Sequence, residues 1–331
     1  MIKNYNFLIF YFLLMLSLLI GLNSNSIFFM WFSIEVNMMS FIPMILFYGS
    51  YYNYSSMKYF LIQSFSSSLM LFWMFYMQLM NMLGFFLVML FFTLLFKLGY
   101  FPFHTWYLEM LKDLDWVSLF LMTLQILPFC LMSYLFNVYD KNFNLFYIYV
   151  FIMMMYFIIF LLVYNNSVKY LMGVSSLNHM GWMILMMMID LEMFIYYFLL
   201  YFQILLNLIV VLNKFNINSF SQLYMVKSFS YKFFMIFFML LLMMMPPLVG
   251  FFMKMFFLIL FIKYKFMMIS FIMMMLSVFM SYYYLNMFLC SFMLNISFML
   301  NNFYSEMMDN NFNLIILNMI MFIFYWMMIV N

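Results

Sequence analysis

Charged residues are almost missing from this sequence. Only 6% of its 331 residues are charged, whereas 71% are apolar, and the mean hydropathy is +1.13. Soluble domains carry roughly 25% charged and 45–50% apolar residues. A chain of this composition cannot provide the polar surface that a soluble fold requires. The composition therefore predicts a membrane protein.

Alanine and arginine are absent, and threonine occurs only at Thr93, Thr105 and Thr123. Membrane helices normally place small residues at their contacts, so packing does not explain the lack of alanine. Both absent residues use GC-rich codons, while the chain has 52 Phe and 49 Met. This bias predicts an AT-rich animal mitochondrial genome in which ATA is read as Met.

Residues that hold cofactors are also scarce. The two cysteines, Cys130 and Cys290, are too few for an iron–sulfur cluster or a disulfide framework. The two histidines, His104 and His179, are not spaced like haem ligands, and neither a G-x-G-x-x-G turn nor a P-loop occurs. No basic run is present. The sequence therefore predicts no cofactor, no metal site and no nucleic-acid binding in this chain.

Polar residues divide the chain into about eleven runs long enough to cross a membrane as helices. The sequence predicts an all-α polytopic membrane protein with a single transmembrane domain over residues 1–331. The run after Lys3 is interpreted as the first span and not as a signal peptide, because no small-residue cleavage site follows it. The predicted spans are 5–21, 26–48, 57–78, 83–98, 116–138, 143–164, 168–189, 193–213, 231–264, 266–291 and 312–330.

Two of these spans are predicted to be discontinuous helices. The run 231–264 is too long for one crossing and contains Pro246-Pro247, while 83–98 is short and is followed by Pro102. The proline follows Lys97 in the first case but precedes Lys254 in the second, and this reversal predicts antiporter-like inverted repeats.

Lysines near the span ends are more numerous on the side that holds the N-terminus. By the positive-inside rule, that side is the positive side of the membrane. We therefore expect the N-terminus on the matrix side and the C-terminus on the intermembrane-space side.

Three charged residues, Glu35, Lys97 and Lys254, lie in or directly beside long apolar runs, where a membrane chain rarely tolerates a charge. A charge near the bilayer centre costs about 2.5–3.5 kcal/mol on insertion scales and usually faces a polar interior path. Each is either half of a structural ion pair or part of a proton path, and two lysines beside two helix breaks favour the path. His179, among polar residues of the seventh span, is either a hydrogen-bonded interhelical histidine or a proton relay.

Five segments, in order along the chain, resemble the subunit 2 family of NADH dehydrogenase, an antiporter-like membrane-arm subunit of mitochondrial respiratory complex I (NADH:ubiquinone oxidoreductase). They are Trp31–Pro43 (W-x-G-L-E-x-N…F-I-P, with Ser33 for the usual glycine), Lys58–Gln63 (K-Y-F-L-x-Q), Lys97–Glu109 (K-L-G-x-x-P-F-H-x-W-x-x-E), Ser175–Trp182 (S-S-x-x-H-M-G-W) and Pro246–Lys254 (P-P-x-x-G-F-x-x-K).

The resemblance implies that Glu35 is the coupling glutamate, Lys97 the central proton-channel lysine and Lys254 the exit-side lysine. It implies a proton-pumping subunit in the inner mitochondrial membrane. NADH, FMN, iron–sulfur clusters and ubiquinone are then expected in partner subunits. The expected partners are antiporter-like neighbours, small membrane subunits and lipids such as cardiolipin.

One departure from the family affects the proton route. The family carries a lysine in its fifth span, where this chain has Leu124–Pro128 without a cation. We expect His179 to carry protons between Lys97 and Lys254 in its place, with Gln125 contributing. Two other functions remain open: a non-pumping scaffold of the membrane arm, which the missing lysine favours, and a free-standing cation/proton antiporter.

Overall fold

The computed structural model of the chain describes residues 2–24, 26–47, 53–79, 83–124, 167–223, 229–244, 248–264 and 267–292. These residues are almost entirely α-helical, which confirms the all-α part of the predicted fold class. The chain divides into two compact units, Met1–Phe157 and Ile158–Asn331. The predicted spans 143–164 and 312–330 lie outside the described residues, as do most of span 116–138 and Gln125 within it.

In the first unit, the third helix contacts the second, fourth and fifth helices. The second helix packs on the first and on the third, and the third packs on both the fourth and the fifth. The helices are α1 (Ile2–Asn23), α2 (Ile27–Phe47), α3 (Asn53–Leu79), α4 (Leu83–Leu98), α5 (His104–Asp113) and α6 (Trp116–Thr123).

The helices described in the second unit are α7 (Val168–Ile189), α8 (Leu191–Lys214), α9 (Phe220–Leu223), α10 (Phe229–Met243), α11 (Val249–Lys263) and α12 (Met267–Phe292). Helix α8 packs on α7, α10 and α11, and α12 packs on α10 and α11. An isolated bridge between Ser167 and Ser219 joins the start of α7 to the segment after α8. There the Val168 N–H donates to the Asn218 carbonyl at 3.0 Å.

Among the residues that the structure describes, three helical segments are long and apolar enough to cross a membrane: Ile27–Phe47, Leu191–Lys214 and Met267–Asn286. Each exposes large apolar side chains, such as Phe29, Ile195 and Met268. Such an outer surface suits lipid, where every backbone polar group must be hydrogen-bonded inside the protein.

Serine hydroxyls in α2 and α3 are hydrogen-bonded within their own helix. The Ser33 hydroxyl donates to the Met30 carbonyl at 2.6 Å, and the Ser66 hydroxyl donates to the Gln63 carbonyl at 2.8 Å. This bond to the preceding turn satisfies a polar side chain without a partner on another helix. Serine is therefore tolerated in an apolar environment.

Helix α4 ends in a Schellman motif, the double hydrogen bond that closes a helix around a left-handed residue. The Gly99 N–H donates to Phe96 O at 3.1 Å, and the Tyr100 N–H donates to Leu95 O at 2.9 Å. Gly99 has φ +64°, and a Cβ at that position would lie 2.5 Å from the Cβ of Tyr107. Both the dihedral angle and the space therefore require glycine.

The end of α10 and the start of α11 also lie close together. Met244, directly after α10, has φ +53°, and its N–H donates to the Leu241 carbonyl at 3.0 Å. A Cβ on Gly250, in the first turn of α11, would lie 2.6 Å from the Met244 Cγ. The absence of a side chain at Gly250 lets the start of α11 lie against the end of α10.

Candidate functional site

A buried ion pair joins α2 and α4 in the first unit. The Lys97 Nζ lies 3.6 Å from the Glu35 Oε1, with side-chain exposures of 1% for Lys97 and 17% for Glu35. The Tyr59 side chain of α3 lies close enough to Glu35 to interact with it electrostatically. Because an isolated buried charge is very costly, each of these two groups lowers the cost of burying a charge on the other.

The position of Lys97 within α4 also favours its charge. Lys97 lies in the last turn of α4, where the helix dipole places partial negative charge and cations are stabilised by about 0.3–1 kcal/mol. The last four carbonyls of a helix have no partner within it. The Lys97 carbonyl instead accepts a hydrogen bond from the Gln63 Nε2 of α3 at 2.9 Å.

Helix α3 also contacts α2 close to Glu35. The Trp31 Nε1, one helical turn before Glu35, donates to the Ser67 carbonyl of α3 at 3.3 Å. Near the other end of α3, the Lys58 Nζ pairs with the Glu109 Oε2 of α5 at 2.5 Å. The pairing of Lys58 with Glu109 was not predicted from the sequence.

In the second unit, Lys254 of α11 lies beside the end of α10. The Lys254 Nζ donates to the Met243 carbonyl at 3.4 Å and lies 5.5 Å from the centre of the Trp182 ring. Lys254 is 4% exposed. Its neighbours are thus a helix-terminal carbonyl and an aromatic face, both of which attract a cation.

His179 of α7 lies in the same cluster as Lys254. Its Nδ1 lies 2.8 Å from the Tyr197 hydroxyl of α8, and its ring lies 4.7 Å from that of Tyr201. The imidazole is within reach of the Leu242 backbone and close enough to Lys254 for an electrostatic interaction. This places a group that can exchange protons beside a buried lysine.

The polar residues around His179 are also buried in α7. The Ser175 hydroxyl donates to Met172 O at 2.8 Å, and the Ser176 hydroxyl donates to Gly173 O at 2.7 Å. The hydrogen of each of these two hydroxyls is thus bonded within α7.

Each unit thus brings together two of the residues predicted from the sequence: Glu35 with Lys97, and His179 with Lys254. His104 lies apart from these pairs as the first residue of α5, with its ring stacked on Phe101 at 5.2 Å.

Three contacting residues, Gln63, Tyr197 and Tyr201, were not predicted as site residues. Gln63 carries a usable signal, since it is an amide directly after the apolar run Tyr59–Ile62. Tyr197 and Tyr201 are four residues apart and share one face of α8. Nothing in their spacing distinguishes them among the 28 tyrosines of the chain.

Residues 24–281 match the family described as "NADH:quinone oxidoreductase/Mrp antiporter, TM". The chain belongs to this family. The match includes Glu35, Lys97, His179 and Lys254. It also includes both the α4–α5 and the α10–α11 interruptions.

Curated relatives of this antiporter family are similar over most of the chain. The chain is 34% identical over 233 residues to "NADH-ubiquinone oxidoreductase chain 2" of Anopheles gambiae, covering 65% of this chain and 64% of the relative. It is 34% identical over 264 residues to the protein of the same name from Aedes aegypti, covering 74% of each.

Chains of two solved structures share the fold. A chain of respiratory complex I from Thermus thermophilus superposes with a TM-score of 0.76 at 17% identity, over 87% of this chain and 71% of that one. A chain of the Mrp complex from Dietzia sp. gives a TM-score of 0.72 at 14% identity, over 85% of this chain and 59% of that one.

Proposed function

We propose that the chain is the antiporter-like membrane-arm subunit 2 of a proton-pumping NADH:ubiquinone oxidoreductase. It moves protons across the inner mitochondrial membrane while NADH oxidation and ubiquinone reduction take place in other subunits. The family match and the names of the curated relatives support this assignment. The observation that carries it is the Glu35–Lys97 pair, which buries a protonatable ammonium group beside a carboxylate.

The mechanism follows from the separation of the two charges in that pair. At an effective dielectric constant of about 20, unit charges 3.6 Å apart interact by roughly 4–5 kcal/mol. Protonation of Glu35 removes this attraction, and the Lys97 ammonium then releases a proton more readily. Ionisation of Glu35 restores the attraction, and Lys97 takes up a proton again.

The onward path in this proposal uses the second cluster. His179 passes a proton between its two ring nitrogens, with the Tyr197 hydroxyl as partner of Nδ1. Lys254 is the exit-side group, and its ammonium donates a hydrogen bond to the Met243 carbonyl. The order Glu35, Lys97, His179, Lys254 replaces a route through the missing fifth-span lysine.

The same proposal includes the arrangement of the chain in the membrane. About eleven spans cross it, with α4–α5 and α10–α11 as discontinuous helices of two inverted repeats, and the N-terminus lies on the matrix side. The chain holds no redox group. NADH, FMN, iron–sulfur clusters and ubiquinone belong to partner subunits, and antiporter-like neighbours, small membrane subunits and lipids such as cardiolipin surround it.

The substitution Lys97→Met tests this function in the assembled complex. It removes the ammonium but keeps an unbranched apolar side chain in the same space. Proton transfer through this subunit should fall by about 10²-fold or more, the contribution typical of a positioned acid–base group. The measurement is the number of protons transported per NADH oxidised in closed membrane vesicles.

Lys263→Met is the matched control, because Lys263 lies exposed at the end of α11 and its loss should leave the ratio unchanged. A Lys97→Met complex that transports as many protons per NADH as the control would make the chain a scaffold of the membrane arm. Proton transport by the isolated chain in liposomes, driven by a cation gradient, would make it a free-standing antiporter.

A further inference from the structure

Helix α3 is hydrogen-bonded to both helices that carry the Glu35–Lys97 pair. On one side, the Trp31 Nε1 of α2 donates to the Ser67 carbonyl at 3.3 Å. On the other side, the Gln63 Nε2 donates to the Lys97 carbonyl of α4 at 2.9 Å. Each bond joins a side chain of one helix to the backbone of another. Each therefore restrains the position of a helix as well as the rotamer of a side chain.

The spacing along the helices places both bonds at the level of the ion pair. Trp31 and Glu35 are four residues apart on α2, and Gln63 and Ser67 are four residues apart on α3. Residues at this spacing lie one above the other on the same helix face. One face of α3 is therefore bonded to α2 one turn before Glu35, and the same face is bonded to α4 at the carbonyl of Lys97.

The chemistry of Gln63 suits this position. Gln63 is 4% exposed, and its amide N–H satisfies a helix-terminal carbonyl that has no partner within α4. An amide does so without adding a charge beside Glu35 and Lys97. A carboxylate at position 63 would compete with Glu35 for the Lys97 ammonium, and an ammonium at position 63 would repel the Lys97 ammonium.

The same helix also holds the chain beyond the end of α4. Lys58 of α3 pairs with Glu109 of α5, so α3 is bonded to the helices on both sides of the Gly99 interruption. The end of α4 is thereby held by Gln63 before the turn and by Lys58 after it.

We propose that Gln63 is a positioning residue for proton transfer, and that α3 sets the separation between the Glu35 carboxylate and the Lys97 ammonium. This inference rests on the proposed proton-pumping function. Gln63 acts through the backbone of Lys97, and Trp31 acts in the same way on the helix that carries Glu35. Loss of either bond lets the two charges move apart.

The test replaces Gln63 in the whole complex by methionine, which has similar length but no donor. A shift of about 1 Å in a reacting group can reduce a rate by up to about 10²-fold, so we expect proton transport per NADH through this subunit to fall by about tenfold. We also expect its pH profile to move, since the field of Glu35 at Lys97 changes. Assembly of the complex should persist.

Ser64→Ala is the control, because the Ser64 hydroxyl on the next residue of α3 donates only to the Leu61 carbonyl of its own helix at 3.2 Å. Normal transport and an unmoved pH profile in Gln63→Met, with lost transport in Lys97→Met, would overturn the inference alone. Normal transport in Lys97→Met would overturn the proposed function instead.

A second variant covers the case in which Gln63→Met does not assemble. Trp31→Phe removes the indole N–H on the other side of α3, and a smaller loss of transport with the same direction of pH shift supports the inference. If Trp31→Phe lowers only the amount of complex, or neither variant assembles, Gln63 and Trp31 are structural and the inference is wrong.

Discussion

At the scale of single residues, the two ion pairs of the first unit differ in burial. Lys58 and Glu109 have side-chain exposures of 30% and 57%, and exposed pairs contribute about 0–1 kcal/mol. Lys97 is 1% exposed, and removing one partner from a buried pair costs about 3–5 kcal/mol when the other stays charged. We therefore assign function to the second pair and a local structural role to the first.

Glu35→Gln should reduce proton transport more strongly than it reduces assembly. The amide keeps the shape of the carboxylate and is cheaper to bury, but it removes a Coulomb interaction of roughly 4–5 kcal/mol on Lys97. Proton transport per NADH and the amount of complex on native gels are the two measurements. Glu192→Gln, at an exposed position in the first turn of α8, is the control and should change neither by more than a small fraction. Disappearance of the complex in Glu35→Gln, without an assembled but uncoupled form, would indicate a structural pair.

Tyr197→Phe tests the surroundings of His179. It removes the hydroxyl that lies 2.8 Å from Nδ1, and loss of one partner from a buried polar group costs about 1–3 kcal/mol. We expect slower proton transport, by roughly tenfold for each 1.4 kcal/mol, at unchanged NADH binding. Tyr282→Phe, on an exposed tyrosine of α12, is the matched change. Equal rates in the two variants would remove Tyr197 from the proton path.

At the scale of elements, the two interruptions place different demands on their glycines. A Cβ added at Gly99 would lie 2.5 Å from the Cβ of Tyr107, and the φ angle of Gly99 is in the left-handed region. At Gly250, the nearest atom is the Met244 Cγ at 2.6 Å, which belongs to a flexible side chain. The end of α4 is thus held more rigidly than the start of α11.

Gly99→Ala should accordingly destabilise the protein more than Gly250→Ala. A left-handed non-glycine residue alone costs about 1–2 kcal/mol, and the contact with Tyr107 adds to that cost, whereas Met244 can change rotamer. The melting temperature of the purified complex measures both variants. An equal or larger loss in Gly250→Ala would show that Met244 cannot yield.

The sequence predicts the helices and the charged residues of the site better than it predicts their partners. Glu35, Lys97 and Lys254 stand out because a charge in an apolar run is costly. The α10–α11 interruption is indicated by Pro246-Pro247, while the Schellman closure at Gly99 depends on space that only the folded chain defines. Tyr197 could not be predicted, since a tyrosine in an aromatic-rich helix contacts His179 only through the packing of α8 on α7.

At the scale of the whole molecule, both compact units place a buried lysine at the end of a helix. Lys97 lies in the last turn of α4, and the Lys254 ammonium contacts the last carbonyl of α10. In both cases the partial negative charge of a helix end stabilises a cation in a setting with little water. A chain with very few acidic residues can hold cations in this way without a carboxylate for each of them.

The unequal exposure of the Glu35–Lys97 pair has a consequence for how the subunit receives its signal. Lys97 is sealed inside the first unit, whereas Glu35 retains 17% of its side-chain surface. A neighbouring subunit that covers Glu35, or admits water to it, changes the hydration of the Glu35 carboxylate. In the proposed mechanism, this changes the charge on Lys97, although the neighbouring subunit does not contact Lys97. Proton transfer in this mechanism is then controlled by the hydration of one half-buried carboxylate.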